Sequence, residues 1–328
     1  MCQIQNKPSV SVIIPIYNVE KYIERCVRSL MEQTLEDIEF IFVNDCTPDK
    51  SIDILNRVIK EYPKRQKFIH IINHETNKGS AAVRNTGLNA STGEYIIHCD
   101  TDDWVDPNMY KAMYNKAKET NADIVCTDFY NEYADHSSIQ KQLFPDNNIE
   151  CIKLMLAGQL HCATWNKLIR KEIYTKNNIH FPNKINLWED VLTIIPLFFY
   201  ANNIVYLPKS YYHYVRYNTN SYTKQLSSQS LNNLVSAITI LDSFFHKTNS
   251  YSLFQDSFCY LKLTVKLNLL IHSEGALQKE WNKLYPEANK KISSYKALSW
   301  YWRIALSAAR YNIRIFNMLV YISRKIKR

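Results

Sequence analysis

The stretch Val10–Asn18 reads VSVIIPIYN, a run of β-branched residues that stops at a proline, a tyrosine and an asparagine. It predicts a buried strand, and apolar residues at i, i+3, i+4 and i+7 from Ile23 predict that a helix follows over 20–31. The same patterns predict further strands at 39–43, 68–72, 95–99 and 123–130, and helices at 51–62, 80–90 and 107–121. Strands that alternate with helices predict an α/β domain with a mainly parallel sheet flanked by helices.

Polar residues collect after the predicted strands. Tyr17 and Asn18 follow the first strand, Asp45 ends the second, His74 follows the third, and the acidic run 100–103 follows the fourth. In parallel sheets ligands bind beyond the carboxyl ends of the strands. Loops are polar in any protein, which explains one such cluster but explains four less well, so the sequence predicts a binding cleft at this edge.

The acidic run contains Asp100, Asp102 and Asp103. Three carboxylates so close together repel one another unless a cation neutralises them. Hard oxygen ligands in a turn suit Mn²⁺ or Mg²⁺, with substrate phosphates completing the coordination. The alternative is a solvated acidic turn that caps the next helix.

The chain contains no glycine-rich phosphate loop after its first strand. A phosphate would therefore be held by a metal and basic side chains, for which Lys78 and Arg84 are the candidates. The alternative role for Arg84 is a structural ion pair with a strand-end aspartate.

The composition of the 328-residue chain excludes several classes of protein. Eight scattered cysteines form no C-x-x-C pair, the first eight residues contain no apolar run, and no stretch of about 18 apolar residues occurs. We therefore expect a cytoplasmic protein without a disulfide framework. Its net charge of +9 permits nucleic-acid binding, but no recognised nucleic-acid module is present, so no such partner is predicted.

The second half of the chain predicts mostly helix, since four of the five glycines precede residue 160. We place a catalytic domain at 1–224 and a helical extension at 225–328. A final helix over 296–327 would dock on an anionic membrane surface or, alternatively, pack on the catalytic domain or a partner subunit. Its apolar face would comprise Leu298, Trp302, Ala305, Ala309, Ile313, Phe316 and Val320, beside a stripe of Arg303, Arg310 and Arg314.

Ordered blocks of the chain together resemble family-2 glycosyltransferases of the GT-A fold, of the bacterial surface-polysaccharide type. The blocks are VSVIIPIYN at 10–18, FVNDCTPD at 42–49, NKGSAAVRNTG at 77–87, DTDD at 100–103, WNKL at 165–168 and WED at 188–190. The resemblance covers about residues 9–216. Asn44 and Cys46 depart from it, because Asp and Gly are commoner there and a Cβ at residue 46 disfavours a positive φ.

The resemblance implies roles for individual residues. Asp190 would be the general base, with Glu189 as the alternative, whereas their position at the start of an apolar helix by itself favours a helix cap. Asp45 would hydrogen-bond the nucleobase, expected to be uracil. Tyr17 and the backbone near Pro15 would line the nucleoside pocket, and Asn18 would belong to the same donor site. Arg84 would approach the base or phosphate region, Asp102 would contact ribose or metal, and Asp103 or Asp100 would contact the metal. From the residues alone, 211–216 predicts a strand that leads into a polar loop, and His213 or Arg216 would close over the diphosphate or metal. The alternative is an aromatic sheet edge with a surface arginine.

The activity implied is metal-dependent, inverting transfer of a sugar from a UDP-sugar to an acceptor hydroxyl of a growing glycan or glycolipid. Such an enzyme would lie in the cytoplasm or on the inner face of the membrane. Two other classes stay open. One is nucleotidyl transfer onto a sugar phosphate, which usually has a glycine-rich loop after the first strand, and the other is a non-catalytic nucleotide-sugar-binding protein.

Overall fold

The computed structural model describes residues 7–218, 228–272 and 281–326. Their contacts divide them into two compact units: 7–151 with 162–218, and 152–161 with 228–272 and 281–326. Each unit has an apolar core of its own. The predicted domain boundary at residues 224 and 225 lies outside the described residues.

In the described part of the first unit, nine strands form one sheet. The strands are β1 (Val10–Ile16), β2 (Ile38–Asn44), β3 (Ile69–Asn73), β4 (Tyr95–His98), β5 (Trp104–Val105), β6 (Ile124–Glu132), β7 (Ser137–Gln140), β8 (Lys167–Arg170) and β9 (Ile204–Val215). The helices up to residue 200 are α1 (Ile23–Met31), α2 (Ser51–Lys60), α3 (Ser80–Ala90), α4 (Met109–Thr120), α5 (Asn148–Leu156), α6 (Lys171–Lys176) and α7 (Glu189–Tyr200). The predicted α/β class is confirmed.

The strand order is β3-β2-β1-β4-β8-β6-β9-β5, with β7 paired to β6. The pairs β1–β2, β2–β3, β1–β4 and β6–β9 are parallel, whereas β4–β8, β6–β8, β6–β7 and β5–β9 are antiparallel. The parallel character predicted for the whole sheet is therefore concentrated in its first four strands. The strands β5, β7 and β8, which pair antiparallel with their neighbours, were not predicted.

The parallel half of the sheet explains where the candidate site lies. Strands β1 and β2 are buried almost throughout, as expected for a parallel sheet covered on both faces. Because β1, β2 and β4 run in the same direction, their carboxyl ends meet at one edge. The segments that begin at Tyr17, Asp45 and Cys99 therefore leave the sheet side by side.

The second unit is helical in its described part. It contains α8 (Ser228–Lys247), α9 (Tyr251–His272), α10 (Trp300–Tyr311) and α11 (Ile313–Ile326). The single final helix predicted over 296–327 is thus two helices, because Asn312 adopts an extended backbone with φ −155° and ψ 115°. No helix in the described ranges is both long and apolar enough to span a bilayer.

The apolar face predicted for this final segment packs inward. Ala305, Ala309, Phe316 and Val320 are 0–9% exposed and belong to the core of the second unit, which also contains Trp281. The prediction that this particular face would contact a membrane is therefore wrong, because the unit itself covers it.

Candidate active site

The loops after β1 and β2 are joined by hydrogen bonds and share an unusual backbone shape. Asn18 and Cys46 have φ values of 55° and 56°, in the left-handed region, and the Asn18 N–H donates to Thr47 Oγ1 at 2.8 Å. For a residue that has a Cβ, this conformation costs roughly 1–2 kcal/mol of conformational energy. The loop at Cys46 thus keeps a glycine-like turn without a glycine. Tyr17, 48% exposed, lies beside it.

Asp45 is buried and fastens the segment that precedes α3. Its carboxylate accepts hydrogen bonds from the Lys78 N–H at 2.9 Å and the Gly79 N–H at 2.8 Å, and Oδ1 lies 2.7 Å from His74 Nδ1. With only 3% of the residue exposed, these contacts do not fit the predicted contact with a nucleobase. Lys78 is held through its backbone, while its side chain remains exposed.

We expect Asp45→Ala to lower the free energy of unfolding by about 1.5–3 kcal/mol, because it leaves two N–H groups and a histidine without their charged acceptor. Urea unfolding measures the loss, and Asp53→Ala, an exposed aspartate on α2, is the control that should change little. If Asp45→Ala keeps its stability but loses affinity for UDP, Asp45 contacts the base as the resemblance implied.

Arg84 on α3 links two groups of carboxylates. Its guanidinium is buried, donates to Asp100 Oδ1 at 2.8 Å, and has Nε 3.7 Å from Glu189 Oε1. Burial alone would lower the pKa of Arg84, but the neighbouring carboxylates of Asp100 and Glu189 raise it above its ordinary value. The ion pair left open as an alternative role for Arg84 is present.

Glu189 and Asp190 begin α7, directly after Trp188, which has a φ of 69°. Ser80 Oγ donates a hydrogen bond to Glu189 Oε1 at 2.6 Å, so the Glu189 carboxylate faces Ser80 and Arg84. Burial, together with the charge of Asp190, raises the pKa of Glu189 to about 7, and burial also raises the pKa of Asp190. Asp190 is the more exposed of the two, which leaves it the better placed to meet a substrate.

Asp103 is completely buried at the base of the acidic loop. Its Oδ2 accepts a hydrogen bond from the Tyr212 hydroxyl and its Oδ1 one from the Val215 N–H, both at 2.7 Å. Burial, with repulsion from Asp102 and Asp100, raises the pKa of Asp103 well above its usual range. These contacts do not fit the predicted role of principal metal ligand; they anchor the loop to β9.

Asp100 and Asp102 are only partly buried and are better placed for a cation. Asp102 Oδ2 accepts from Asn218 Nδ2 at 2.9 Å, and burial and repulsion from Asp100 raise the pKa of Asp102. No group of three or more His, Cys, Asp or Glu side chains arranged to hold a metal occurs among the described residues. Two carboxylates fit the usual manner of binding Mg²⁺ or Mn²⁺ together with substrate phosphates, and a cation would relieve their repulsion.

His213 is built into the sheet. Its ring stacks between Trp104 and Tyr130 with centroid distances of 4.7 Å on each side, and its nitrogens lie 2.7 Å from Glu132 and 3.3 Å from Asp106. Both ring nitrogens are thus engaged away from the acidic loop. This geometry fits the aromatic sheet edge and not the predicted contact with a diphosphate or metal.

Arg216 has an exposed side chain whose guanidinium lies 5.1 Å from the ring of Tyr214, and its N–H donates to Glu132 O at 2.7 Å. The loop that it was predicted to lead into lies outside the described residues from 219 onward. The carbonyl of Pro15 accepts a hydrogen bond from Thr101 Oγ1 at 2.9 Å, which ties β1 to the acidic loop.

Sequence reasoning missed Tyr212, Ser80 and Asn218, each of which holds one of the predicted carboxylates. The alternation of side chains along a strand could have identified Tyr212, because the residue next to His213 in β9 must point to the opposite face of the sheet. Tyr212 therefore faces away from His213, and its ring stacks on Trp165 at 4.2 Å. No local pattern marks Ser80 or Asn218, since their partners are 109 and 116 residues distant in the chain.

Comparison with known proteins places these observations in a family. The sequence model described as Glycosyl transferase family 2 matches residues 11–177. The chain is 36% identical over 225 residues to the uncharacterized glycosyltransferase EpsJ of Bacillus subtilis (strain 168); the match covers 66% of this chain and 63% of EpsJ, less than two thirds of that relative's length.

Solved structures show a similar fold. The chain resembles S. aureus TarS 1–349 in complex with UDP-GlcNAc with a TM-score of 0.71 and 20% identity, over 97% of this chain and 92% of that one. It also resembles the mannosyltransferase PcManGT of Pyrobaculum calidifontis in complex with GDP-Man and Mn²⁺, with a TM-score of 0.51 and 13% identity, over 94% and 88% of the two chains.

Proposed function

The chain belongs to glycosyl transferase family 2, and on that premise we propose that it transfers a sugar from a nucleotide diphosphate donor to an acceptor hydroxyl. The fold is of the GT-A type expected from the sequence, as the likeness to TarS indicates. We assign catalysis to the first unit. The donor is proposed to be a UDP-sugar, because TarS is described with UDP-GlcNAc.

One observation carries the proposal. The buried guanidinium of Arg84 joins Asp100, at the end of β4, to Glu189, at the start of α7. Arg84 thereby holds two sets of carboxylates at one edge of the sheet: Asp100 with Asp102, and Glu189 with Asp190. Asp100 and Asp102 are suited to the diphosphate side of the donor, and Asp190 is suited to the acceptor side.

Asp190 is proposed to act as the general base. It takes the proton from the acceptor hydroxyl, the acceptor oxygen bonds to the anomeric carbon, and the bond from that carbon to the donor phosphate oxygen breaks. Attack from the face opposite the nucleotide inverts the configuration. The pKa of Asp190, raised by burial, makes it a stronger base than an exposed aspartate.

A divalent cation would be held by Asp102 and Asp100 together with the donor phosphates. When bound, it would neutralise the negative charge that develops on the departing diphosphate. Asp103 would act indirectly, by holding the acidic loop on Tyr212 and Val215. The mannosyltransferase PcManGT, which has a similar fold, is described with Mn²⁺.

The nucleoside would lie over the loops after β1 and β2, where exposed Tyr17 offers an aromatic face and Asn18 is held in its turn. Asp45 would shape this pocket by fastening the Lys78–Gly79 segment.

We propose that the acceptor is a glycan or a lipid-linked molecule and that the reaction contributes to the assembly of a bacterial surface polysaccharide. We also propose an anionic membrane surface as a partner. The cytoplasmic location remains a prediction.

Thermal unfolding in the presence of nucleotides tests this assignment. UDP with Mn²⁺ should raise the melting temperature, since a ligand at 100 times its Kd stabilises by about 2.7 kcal/mol. Excess chelator should remove most of the increase. Asp102→Asn should melt like the wild type without ligand and lose the Mn²⁺-dependent part, whereas Asp146→Asn, an exposed aspartate, should retain it.

Asp103→Asn separates the roles of the two neighbouring aspartates. It should melt at a lower temperature even without ligand, because the anchor to β9 is weakened. A larger response to GDP than to UDP would change the donor class. If no nucleoside diphosphate stabilises the wild type with or without Mn²⁺, the proposed donor site is wrong.

A further inference from the structure

The last two helices expose an apolar surface that the core does not use. Of the fourteen large apolar side chains that are exposed in the described residues, seven lie between 300 and 322. They are Trp300, Ile304, Tyr311, Ile315, Met318, Tyr321 and Ile322, and we call this set the outer face. Their exposed fractions run from 41% to 85%. A surface so rich in large apolar groups indicates a binding partner.

The outer face is continuous along each helix. At roughly 100° per residue, Trp300, Ile304 and Tyr311 fall within about 40° of one another on α10, and Ile315, Met318 and Ile322 within about 60° on α11. The inward sides of the same helices carry Leu306 and Phe316, which are fully buried in the core of the second unit. Both helices are therefore apolar on two sides, and packing within the unit accounts for only one of them.

The charge around the outer face selects its partner. No Asp or Glu occurs after Glu287, whereas that tail contains ten Lys and Arg residues. Arg310 and Arg314 are exposed, and by the same helical geometry they lie on the flank of the outer face. A partner that covers this surface must offer apolar groups at its centre and negative charge around them.

We propose that the outer face docks on an anionic lipid bilayer, with α10 and α11 lying in the interface. Trp300, Tyr311 and Tyr321 are amphipathic rings of the kind enriched at that depth, and arginines reach the headgroups while their stems stay in apolar surroundings. Neither helix is long enough to span a bilayer: α10 has 12 residues and α11 has 14. The surface differs from the one predicted from sequence and lies on the other side of both helices.

This inference deepens the proposed function, because it identifies the surface that would bring the enzyme to a lipid-linked acceptor. It does not depend on turnover, so binding to vesicles and binding of UDP can fail separately. A chain that binds UDP and ignores vesicles would leave the proposed function intact and overturn the docking surface.

Co-sedimentation of the full chain with vesicles tests the proposal. The wild type should sediment with vesicles of equal parts phosphatidylglycerol and phosphatidylcholine, and more weakly with phosphatidylcholine alone. The triple variant Trp300→Ser, Ile315→Ser, Met318→Ser should partition at least tenfold less. The matched control, Ile240→Ser with Leu253→Ser, removes exposed apolar side chains from α8 and α9 and should bind like the wild type.

The basic flank is tested with a second pair of variants. Arg310→Gln with Arg314→Gln should reduce binding to the anionic vesicles and flatten its dependence on salt, whereas Lys60→Gln with Lys64→Gln in the first unit should change neither. Thermal unfolding checks that every variant is folded.

Two results would overturn the proposal. One is a failed vesicle experiment, in which either the wild type does not sediment with the anionic vesicles or the folded triple variant sediments as well as the wild type. The other is a concentration-dependent dimer, measured by light scattering, that the triple variant abolishes while vesicles are ignored; the outer face would then bind a second copy of the chain.

Discussion

Asp190→Asn should fold, bind UDP as the wild type does, and transfer sugar about 10²–10⁴-fold more slowly, the usual contribution of a general base. Asparagine keeps the shape of the side chain but cannot accept the acceptor proton. Stability should not fall, because the raised pKa of Asp190 means that its surroundings disfavour the charged form. The turnover number and the melting temperature together measure both effects.

Two further variants define what this result means. Asp53→Asn removes an exposed carboxylate from the first turn of α2, so it controls for the loss of a favourable interaction with a helix dipole. Glu189→Gln should slow transfer less than Asp190→Asn, because Glu189 faces Ser80 and Arg84. A full rate for Asp190→Asn together with a large loss for Glu189→Gln would make Glu189 the base.

Arg84→Met should lower the free energy of unfolding by about 3–5 kcal/mol, the usual cost of removing one partner from a buried ion pair. The carboxylates of Asp100 and Glu189 would lose the only cation that contacts both of them among the described residues. This loss in the free energy of unfolding should become smaller toward acid pH, because protonation of Asp100 and Glu189 then removes the negative charges that the variant leaves unpaired. Urea unfolding over a series of pH values measures it.

Arg28→Met is the matched control for Arg84→Met. Arg28 also bridges two carboxylates, those of Glu24 and Glu61, but these side chains are 35–48% exposed. Exposed pairs contribute only about 0–1 kcal/mol. If Arg84→Met loses no more stability than Arg28→Met, the buried network does not hold the two sets of carboxylates together.

The periodic elements of the fold could be predicted well, because they obey a single local pattern. Helix α3 begins and ends at the predicted residues 80 and 90. The two-residue strand β5 and the four-residue strand β8 are too short to show a period. The break at Asn312 carries no glycine or proline; the Asn312 side chain instead accepts the Arg314 N–H at 2.9 Å and starts a second helix.

The residues of the site could be predicted from the sequence, but the role of each residue could not. Asp100, Asp102 and Asp103 look alike in sequence, and the partner that distinguishes Asp103 is Tyr212, 109 residues later in the chain. The same applies to Asp45, whose acceptor capacity is taken up by two backbone N–H groups more than 30 residues away. Local spacing shows which side chains gather, whereas burial and distant donors decide which of them are left for substrate.

The proposed reaction requires that the chain break the bond between a sugar and a nucleoside diphosphate. The most direct measurement is release of UDP from a panel of UDP-sugars by the full chain with Mn²⁺, with water as the acceptor. We expect release from at least one UDP-sugar, and a rate about 100-fold or more lower for Asp190→Asn. No UDP from any donor, with pyrophosphate formed instead from UTP and a sugar phosphate, would contradict it.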